Sequence, residues 1–376
     1  RSKILSGFPW NLWGYTWSWF PEILQILNPI GLFAYNLLII SIFVVPACLF
    51  FKDSFRVKLV IISSTLILIF SIYLYGTFSI NKNNGLLNYI SSNNKTYVKI
   101  VSPNFKLKYN ATIEEIEEKL KKIIKYSEPD PKKNTLFIWP EGIFTGYDFN
   151  EISIFKKLIQ NNFNDKYLIL FGINSFNLNT KKYLNSLVIV DNNFKILHQY
   201  NKRKLVPFGE FLPFEKYLNK LGLKKITQGY VSFSKGSQQE NILLNKLNIL
   251  PLICYEIIFP ELVQSSRNTT NLIINISEDG WFGDSIGPHQ HFAKAVFRSI
   301  ENNTFLVRSA NKGISAIVSN KGEIVKKLSP NEVGSIEMDI PTLKFEYKNK
   351  NDLIFIMLLF TYLFIFLIYR NKNAKK

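Results

Sequence analysis

Three long stretches of the chain are apolar and carry no charge. They cover residues 32–51, 59–80 and 353–369. A helix needs about 20 apolar residues to cross the hydrocarbon core of a bilayer, and about 17 is the lower limit. All three stretches reach that length, the third only narrowly, so we predict three transmembrane helices. None is typical of a cleaved signal peptide, because each is too long or lies too deep in the chain.

The charges beside these stretches predict their orientation. The loop at 52–58 holds three basic residues and one acid, and the tail after residue 369 holds four basic residues. Short basic segments tend to remain in the cytoplasm. We therefore expect residues 81–350 to lie outside the membrane. In a Gram-negative bacterium that space is the periplasm, which predicts a multi-pass protein of the inner (cytoplasmic) membrane.

The first 31 residues contain six tryptophan and phenylalanine residues, interrupted by three prolines. Aromatic rings of this kind favour the membrane–water interface, so we interpret the segment as interfacial or re-entrant on the outer side. Packing against a helical bundle is the alternative. The predicted organisation is an aromatic segment at 1–31, two spans within 32–80, an external domain at 81–350, and a span with a basic cytoplasmic tail at 351–376.

The external part alternates between short apolar runs and helical patterns. Residues 81–95 are polar and rich in asparagine, which predicts a linker. Thr112 and Glu115 have the spacing of a capping box at the start of a helix. Strands that alternate or cluster with helices indicate an α/β layered domain. The predicted strands are 97–101, 135–139, 168–173, 186–190, 196–200, 247–253, 271–276, 304–307, 314–319 and 323–327, and the predicted helices are 112–126 and 288–302.

Charge and cysteine content narrow the function classes. A net charge of +18 invites a nucleic-acid-binding interpretation, but the sequence shows no recognition motif and the predicted spans argue against it. Biased genome composition, or a basic face resting on anionic lipid headgroups, explains the charge equally well. Of the two cysteines, Cys48 lies within a predicted span and Cys254 outside it, so we expect no disulfide framework.

Three reactive side chains each follow an apolar strand: Glu141, Lys202 and Cys254. Layered α/β folds tend to place binding groups at strand ends. Each residue also has a purely structural interpretation. Glu141 can cap a turn, Lys202 can be one of many surface lysines, and Cys254 can be a small buried apolar residue.

The chemistry of the three side chains is coherent if they meet in space. A free thiol has a pKa of about 8.5, so only a small fraction is thiolate at neutral pH. A carboxylate within hydrogen-bond reach can take the thiol proton. A nearby ammonium group stabilises the thiolate and then the oxyanion of a tetrahedral intermediate. This chemistry predicts acyl transfer through a thioester, with no metal or cofactor required.

Five stretches around these residues share a wider pattern. They are residues 139–141 (WPE), 200–213 (YNKRKLVPFGEFLP), 254–261 (CYEIIFPE), 275–291 (NISEDGWFGDSIGPHQH) and 308–314 (RSANKGI). In this order they resemble the apolipoprotein N-acyltransferase family, a membrane branch of the nitrilase (carbon-nitrogen hydrolase) superfamily. The resemblance also takes in residues 7–10 (GFPW) and the C-terminal span, and so covers nearly the whole chain.

The resemblance implies a nitrilase-type α-β-β-α sandwich domain attached to transmembrane helices. It implies Glu141 as general base, Lys202 as positive partner and Cys254 as nucleophile. It further implies supporting roles for Glu210, which would lie close to the triad, and for Tyr255 and Glu256, which would orient the nucleophile; turn structure is the alternative for the last two.

The resemblance also implies a reaction in two halves. Cys254 would take an acyl chain from a phospholipid, with phosphatidylethanolamine as the expected donor. The amine of a diacylglyceryl-cysteine at an apolipoprotein N-terminus would then receive the chain.

The sequence departs from the family pattern at several points. Fewer spans precede the domain than the family has, so N-terminal spans are expected to be missing from this sequence. Glu278 stands where the family usually has asparagine, and Tyr109 is the nearest candidate for a loop tryptophan of the family. Tyr109 and Trp281 are substrate-loop candidates, with ordinary loop aromatics as the alternative.

Three rival functions remain open from sequence. A membrane-tethered amidase or nitrilase would use the same triad and hydrolyse a C–N bond with water. A zinc hydrolase would use His289 and His291, although a His-x-His pair alone is a weak ligand set and a structural role at a helix start is the better interpretation. A non-catalytic assembly module is the third rival, and the intact reactive positions argue against it.

Overall fold

The computed structural model describes residues 7–52, 54–88, 95–178, 181–214, 217, 220, 232–237, 241–244, 247–264, 270–342 and 351–373. Part of the predicted linker (residues 89–94) and the end of the predicted tail lie outside the described residues. The strands are β1 (Lys95–Ser102), β2 (Thr135–Ile138), β3 (Tyr167–Asn177), β4 (Lys182–Val190), β5 (Ile196–Asn201), β6 (Ile242–Leu244), β7 (Leu247–Ile253), β8 (Leu272–Glu278), β9 (Phe305–Asn311), β10 (Ser315–Val318), β11 (Ile324–Leu328) and β12 (Gly334–Pro341).

The helices are α1 (Pro21–Leu24), α2 (Leu27–Val44), α3 (Phe55–Asn88), α4 (Ile113–Ser127), α5 (Phe149–Ile152), α6 (Lys156–Asn162), α7 (Pro260–Gln264), α8 (Gly287–Asn302) and α9 (Asn351–Asn373). Short 3₁₀ helices add Trp13–Trp17, Val45–Phe50, Ser153–Phe155, Cys254–Ile258 and Asp279–Phe282.

The strands form two six-stranded sheets with the same pattern of directions. Their orders are β12-β1-β2-β3-β4-β5 and β11-β10-β9-β8-β7-β6. In each sheet three neighbouring strands are parallel, β1 to β3 in one and β7 to β9 in the other, and the remaining pairs are antiparallel.

Alternation of side chains along β2 shows how the layers are built. Leu136 and Ile138 join the apolar cluster between the two sheets, whereas Phe137 and Trp139 join the cluster that includes the buried face of α4. Successive side chains of a strand point to opposite faces, so each sheet can bury both. The second sheet packs its outer face against α8 in the same way. The layers are helix, sheet, sheet, helix, which confirms the predicted α-β-β-α sandwich.

Strand direction brings two of the predicted site residues to one edge. β5 runs antiparallel to β4, and β4 runs antiparallel to β3, so β5 has the direction of β3 and β2. Glu141 follows the end of β2 and Lys202 follows the end of β5, so both lie at the same edge of the first sheet. In the second sheet, Cys254 follows β7 and Glu278 ends the parallel strand β8.

Local signals in the sequence predict α4 correctly, and miss β12. The Thr112 hydroxyl accepts a hydrogen bond from the backbone N–H of Glu115, and the Glu115 carboxylate accepts one from the N–H of Thr112, so the predicted capping box is confirmed. β12 pairs with β1 along its whole length although most of its residues are only half-buried. It has no apolar run because its partner strand, rather than its own side chains, specifies it.

Three helices are long and apolar enough to cross a membrane, by length and composition: Leu27–Phe50, Phe55–Gly85 and Leu353–Asn371. The second is longer than predicted, since α3 continues to Asn88. The prediction of a linker from residue 81 is therefore wrong for residues 81–88. The side chain of Asn83 is buried and forms a double amide pair with Asn320, which ties the end of α3 to the sandwich.

A second connection joins α2 to the sandwich. Gly31 leaves the helical conformation, with φ 76° and ψ 169°, and this interrupts the helix at its first turn. The Leu32 N–H freed by this kink donates to the carboxylate of Glu301 in α8, at 3.1 Å. Glu301 also pairs with Arg298 at 2.9 Å, and both side chains are fully buried. An acid near a helix N-terminus is stabilising, so the sandwich caps the membrane helix.

We expect Glu301→Ala to lower the free energy of unfolding by about 3–5 kcal/mol, because it leaves the buried Arg298 charge without its partner. Urea unfolding of the purified chain in detergent measures the change. Glu117→Ala is the matched control, because Glu117 pairs with Lys121 on the exposed face of α4, where such pairs contribute about 0.5 kcal/mol or less. Equal losses in the two variants would contradict a stabilising role for the buried pair.

Candidate active site

The side chains of Glu141, Lys202 and Cys254 line one cavity of about 380 Å³ at the strand ends. The Lys202 ammonium lies 3.8 Å from Glu141 Oε1 and 2.8 Å from Glu210 Oε1. Its side chain is only 1% exposed. The three residues predicted separately from sequence, together with Glu210, therefore meet in space.

Cys254 occupies a strained turn directly after β7. Its φ of 49° lies in the left-handed region, which non-glycine residues adopt rarely and mostly where the surrounding structure holds them. The chain passes there from the strand into a 3₁₀ helix. The turn leaves the residue half-buried, with the thiol at the cavity wall.

Asn185 on β4 joins the two acids that surround Lys202. Its amide nitrogen donates to Glu141 Oε1 and to Glu210 Oε1, both at 2.8 Å. The other oxygen of Glu210 accepts from the backbone N–H of Val206, at 2.8 Å. Burial opposes the charge of Lys202, but Glu210 and Glu141 outweigh it and raise the pKa of Lys202 well above its ordinary value. Lys202 therefore stays an ammonium ion.

Glu256 connects the loop of the lysine with the turn of the cysteine. It is fully buried, and one oxygen accepts from the backbone N–H groups of Arg203 and Lys204 while the other accepts from the N–H of Ile253. The hydroxyl of Tyr200 donates to the same carboxylate. Because these donors come from both loops, Glu256 sets the relative positions of Lys202 and Cys254. Burial raises its pKa against the opposing effect of these hydrogen bonds.

Tyr255 contributes to the apolar wall. Its ring packs edge-on against Phe259, with ring centres 4.9 Å apart, and stacks with Phe8 at 6.2 Å. Burial raises the pKa of its hydroxyl to about 12, so the group is neutral at physiological pH.

A buried polar network supports Cys254 from the side of α8. The Nε2–H of His291 donates to the backbone carbonyl of Cys254 at 3.2 Å, and Arg308 donates to His291 Nδ1 at 3.0 Å. Arg308 also pairs with Asp279 at 2.8 Å and with Asn275. Burial, followed by the charge of Arg308, lowers the pKa of His291 against the opposing effect of Asp279. A neutral imidazole is therefore built into the support of the nucleophile.

The zinc hypothesis fails on this geometry. His289 is exposed, whereas His291 is buried with both ring nitrogens engaged. Residues two apart on a helix do not share a face, so the two rings point apart. Within the described ranges, no group of three or more His, Cys, Asp or Glu residues is arranged to hold a metal ion.

The electrostatics of the cavity keep the thiol protonated until it reacts. Burial and the charge of Glu141 raise the pKa of Cys254 to about 12, while Lys202 and a hydrogen bond with Ser277 partly oppose them. Deprotonation therefore needs a base that takes up the proton as the new bond forms.

Aromatic and aliphatic side chains form most of the remaining wall. Tyr109 and Trp281, the two loop candidates, both line the cavity, and their rings are 5.5 Å apart. Trp10 enters from the segment before α2, where its Nε1–H donates to Gln290 in α8 at 2.8 Å. The predicted interfacial segment thus supplies part of the cavity wall, a role that neither interpretation of it included. Phe8, Leu107, Phe144, Ile173, Val206, Phe233 and Phe282 complete the apolar lining.

Comparison with known proteins places this architecture in a family. The carbon-nitrogen hydrolase family matches residues 104–344. An apolipoprotein N-acyltransferase of Rickettsia typhi is 35% identical over 91% of this chain and 67% of its own length. This chain belongs to the apolipoprotein N-acyltransferase family. A relative of the same name from Rickettsia bellii is 34% identical over 96% of this chain and 72% of its own length.

Two solved structures are also similar to this member of the family. An amidase from Nesterenkonia sp. is 16% identical and covers 68% of this chain and 93% of its own, with a TM-score of 0.47. A branch 10 member of the nitrilase superfamily from Saccharomyces cerevisiae is 19% identical and covers 67% and 91%, with a TM-score of 0.48.

Sequence reasoning missed the residues that hold the triad in place. Asn185 lies inside β4, and Arg308 and Asn275 lie inside β9 and β8. Polar residues within otherwise apolar strands are the signal that would have pointed to them, because a buried polar group needs a partner. Arg308 and Asn275 did fall within stretches that carry the family resemblance, but without an assigned role.

We expect Glu141→Gln to lower the pKa of Cys254, because it removes the negative charge nearest the thiol after burial itself. The rate of iodoacetamide alkylation at pH 9 should rise by about 3- to 10-fold, since the thiolate fraction grows tenfold for each unit of pKa lowered. All variants carry Cys48→Ala, so that only Cys254 reacts.

Lys202→Met is the control of opposite sign, because Lys202 lowers the pKa of Cys254. Its alkylation should be slower than that of the parent protein, with circular dichroism checking the fold. An unchanged or slower rate in Glu141→Gln would contradict the electrostatic contact between Glu141 and the thiol.

Proposed function

We propose that this chain transfers an acyl chain from a phospholipid, through a thioester on Cys254, to the N-terminal amine of diacylglyceryl-cysteine on apolipoproteins. The observation that carries the proposal is one cavity that combines a thiol, a carboxylate and a buried ammonium with a largely apolar wall. Membership of the apolipoprotein N-acyltransferase family supports the same reaction.

In the first half-reaction, Glu141 takes the thiol proton as the sulfur of Cys254 attacks the ester carbonyl carbon. The Lys202 ammonium stabilises the oxyanion of the tetrahedral intermediate. When the intermediate collapses, the ester C–O bond breaks, and protonated Glu141 gives its proton to the departing glycerol oxygen. The products are the thioester and a lysophospholipid.

In the second half-reaction, the amine attacks the thioester carbonyl. Glu141 takes a proton from the amine nitrogen, and Lys202 again stabilises the oxyanion. The C–S bond then breaks, and the thiolate recovers a proton from Glu141. The amide product leaves a free thiol at Cys254, ready for the next cycle.

Glu210, Asn185 and Glu256 position the reacting groups in this proposal. Glu210 balances the charge of Lys202, Asn185 orients Glu141, and Glu256 holds the two loops together. Tyr109 and Trp281 form the part of the wall that contacts the acyl chain.

The location of the enzyme follows from the membrane helices. Trp10 lines the cavity and precedes α2 by fewer than 20 residues, so the cavity lies near the end of a membrane helix. We place the sandwich in the periplasm and the chain in the inner membrane as a multi-pass protein, on the basis of the basic loop at 52–58. Phosphatidylethanolamine is the proposed donor.

An amidase that transfers the acyl group to water is the second candidate, since the same triad supports it. The apolar wall and the wall residue contributed by the membrane segment favour a lipid donor instead.

We expect incubation of the purified chain with phosphatidylethanolamine in detergent to add one acyl chain to Cys254. Intact-mass spectrometry detects the adduct, and hydroxylamine should remove it because it is a thioester. Glu141→Gln should form the adduct about 100-fold more slowly or worse, since it lacks the general base. Cys48→Ala is the matched cysteine control and should acylate normally, whereas an adduct that survives in Cys254→Ala would refute the mechanism.

We expect the acyl-enzyme to transfer its chain to a diacylglyceryl-cysteine peptide with a free α-amine. The same peptide with an acetylated amine should receive none, because it has no nucleophilic nitrogen. Mass spectrometry of peptide and enzyme follows both sides of the reaction. Rapid loss of the thioester to water, unaffected by the peptide, would support the amidase alternative.

A further inference from the structure

Glu278 is a second carboxyl group on the cavity wall, in direct contact with the general base. Its backbone N–H donates to Glu141 Oε2 at 3.1 Å. Its side chain packs over Gly142, the residue after Glu141, where an added Cβ would lie 2.5 Å from Glu278 Oε2. Gly142 has a φ of 84°, so both its conformation and this close approach call for glycine.

The two carboxyl groups have different partners. Glu141 lies 3.8 Å from the Lys202 ammonium and accepts from Asn185 at 2.8 Å. Glu278 accepts only from neutral donors, the N–H of Gly280 at 2.8 Å and the amide of Asn311 at 2.7 Å. None of the ion pairs among the described residues includes Glu278.

The amide of Asn311 is held in one orientation. Its oxygen accepts from the N–H of Phe105 at 2.7 Å, and its nitrogen donates to the carbonyl of Phe105 at 2.9 Å. Asn311 therefore donates to Glu278 and cannot turn to accept a proton from it.

Two acids in contact within a dry cavity do not both ionise easily, and the one without a cation keeps its proton. Glu278 is only 3% exposed. Burial raises the pKa of Glu278 to about 8, the hydrogen bonds from Asn311 and Gly280 partly oppose this, and the charges of Glu141 and Asp279 raise it further.

We propose that Glu278 is a positioning residue that holds a proton beside Glu141, and that loss of this proton makes Glu141 a stronger base toward Cys254. The inference rests on the proposed acyl transfer. During attack, negative charge leaves Glu141 for the sulfur and then for the oxyanion near Lys202. An ionised Glu278 repels the charge on Glu141 and therefore favours this movement.

Other charged and titratable groups around Glu278 come from four elements. Tyr109 in the loop before α4 is neutral at the pH in question, since burial, and then the charge of Glu278, raise its pKa to about 12. Asp279 is paired with Arg308. Lys119 on α4 interacts with Glu278 through its charge, and the side chain of Lys312, after β9, packs beside Gly280.

The test uses the full chain in detergent and measures thioester formation on Cys254 in a single turnover from pH 6.5 to 9.5. This half-reaction contains no amine, so ionisation of the acceptor does not contribute. The parent protein should accelerate by about 3- to 10-fold as pH rises through about 8, which corresponds to a coupling of about one pKa unit or less. Glu278→Gln, which keeps the size and the hydrogen-bond acceptor, should show a flat profile.

Lys119→Met is the matched control and should keep the alkaline rise. The same rise in Glu278→Gln as in the parent protein, or a flat profile in the parent protein, would overturn the inference.

Infrared difference spectroscopy supplies an independent readout. The carbonyl stretch of a protonated carboxyl group should be present at pH 6.5, disappear through about pH 8, and be missing in Glu278→Gln. Absence of that signal from the parent protein would overturn the inference without bearing on acyl transfer. Conversely, a signal without any thioester at any pH would refute the proposed function alone.

Discussion

The buried ammonium of Lys202 is the interaction on which the site depends. Removing a charge from water costs several kcal/mol unless partners replace the lost hydration, and here Glu210 and Glu141 replace it. The arrangement also distributes charge among the acids of the cavity. Glu210 and Glu141 face the cation, whereas Glu278 faces only neutral donors. One lysine thus decides which carboxyl group is available as a base.

The α8 helix links this chemistry to the membrane helices. Its residues His291 and Gln290 contact the Cys254 carbonyl and the Trp10 ring system, and Glu301 near its end caps α2. A single rigid element therefore touches the nucleophile, the cavity wall and a predicted span. A close-packed interior transmits displacement instead of absorbing it, so movement of the membrane segment and the shape of the cavity are mechanically coupled.

Much of the fold and the three reactive residues could be predicted from sequence. Short apolar runs predicted ten strands because both faces of each sheet are buried, and the capping box marked the start of α4. The predictions failed where partners replace local signals. β12 borrows its specification from β1, and the polar end of α3 continues as a helix because Asn83 finds Asn320 in the sandwich.

The sequence by itself determined which residue types end the strands, where membrane helices can form, and which family pattern surrounds Cys254. Only the tertiary structure decided that Glu141, Lys202 and Cys254 share a cavity, that Asn185 and Glu256 hold them there, and that Glu278 lies against Glu141. The physical reason is the range of the forces involved. Periodicity and capping act within a few residues, whereas hydrogen bonds and burial act between strands that are far apart in the chain.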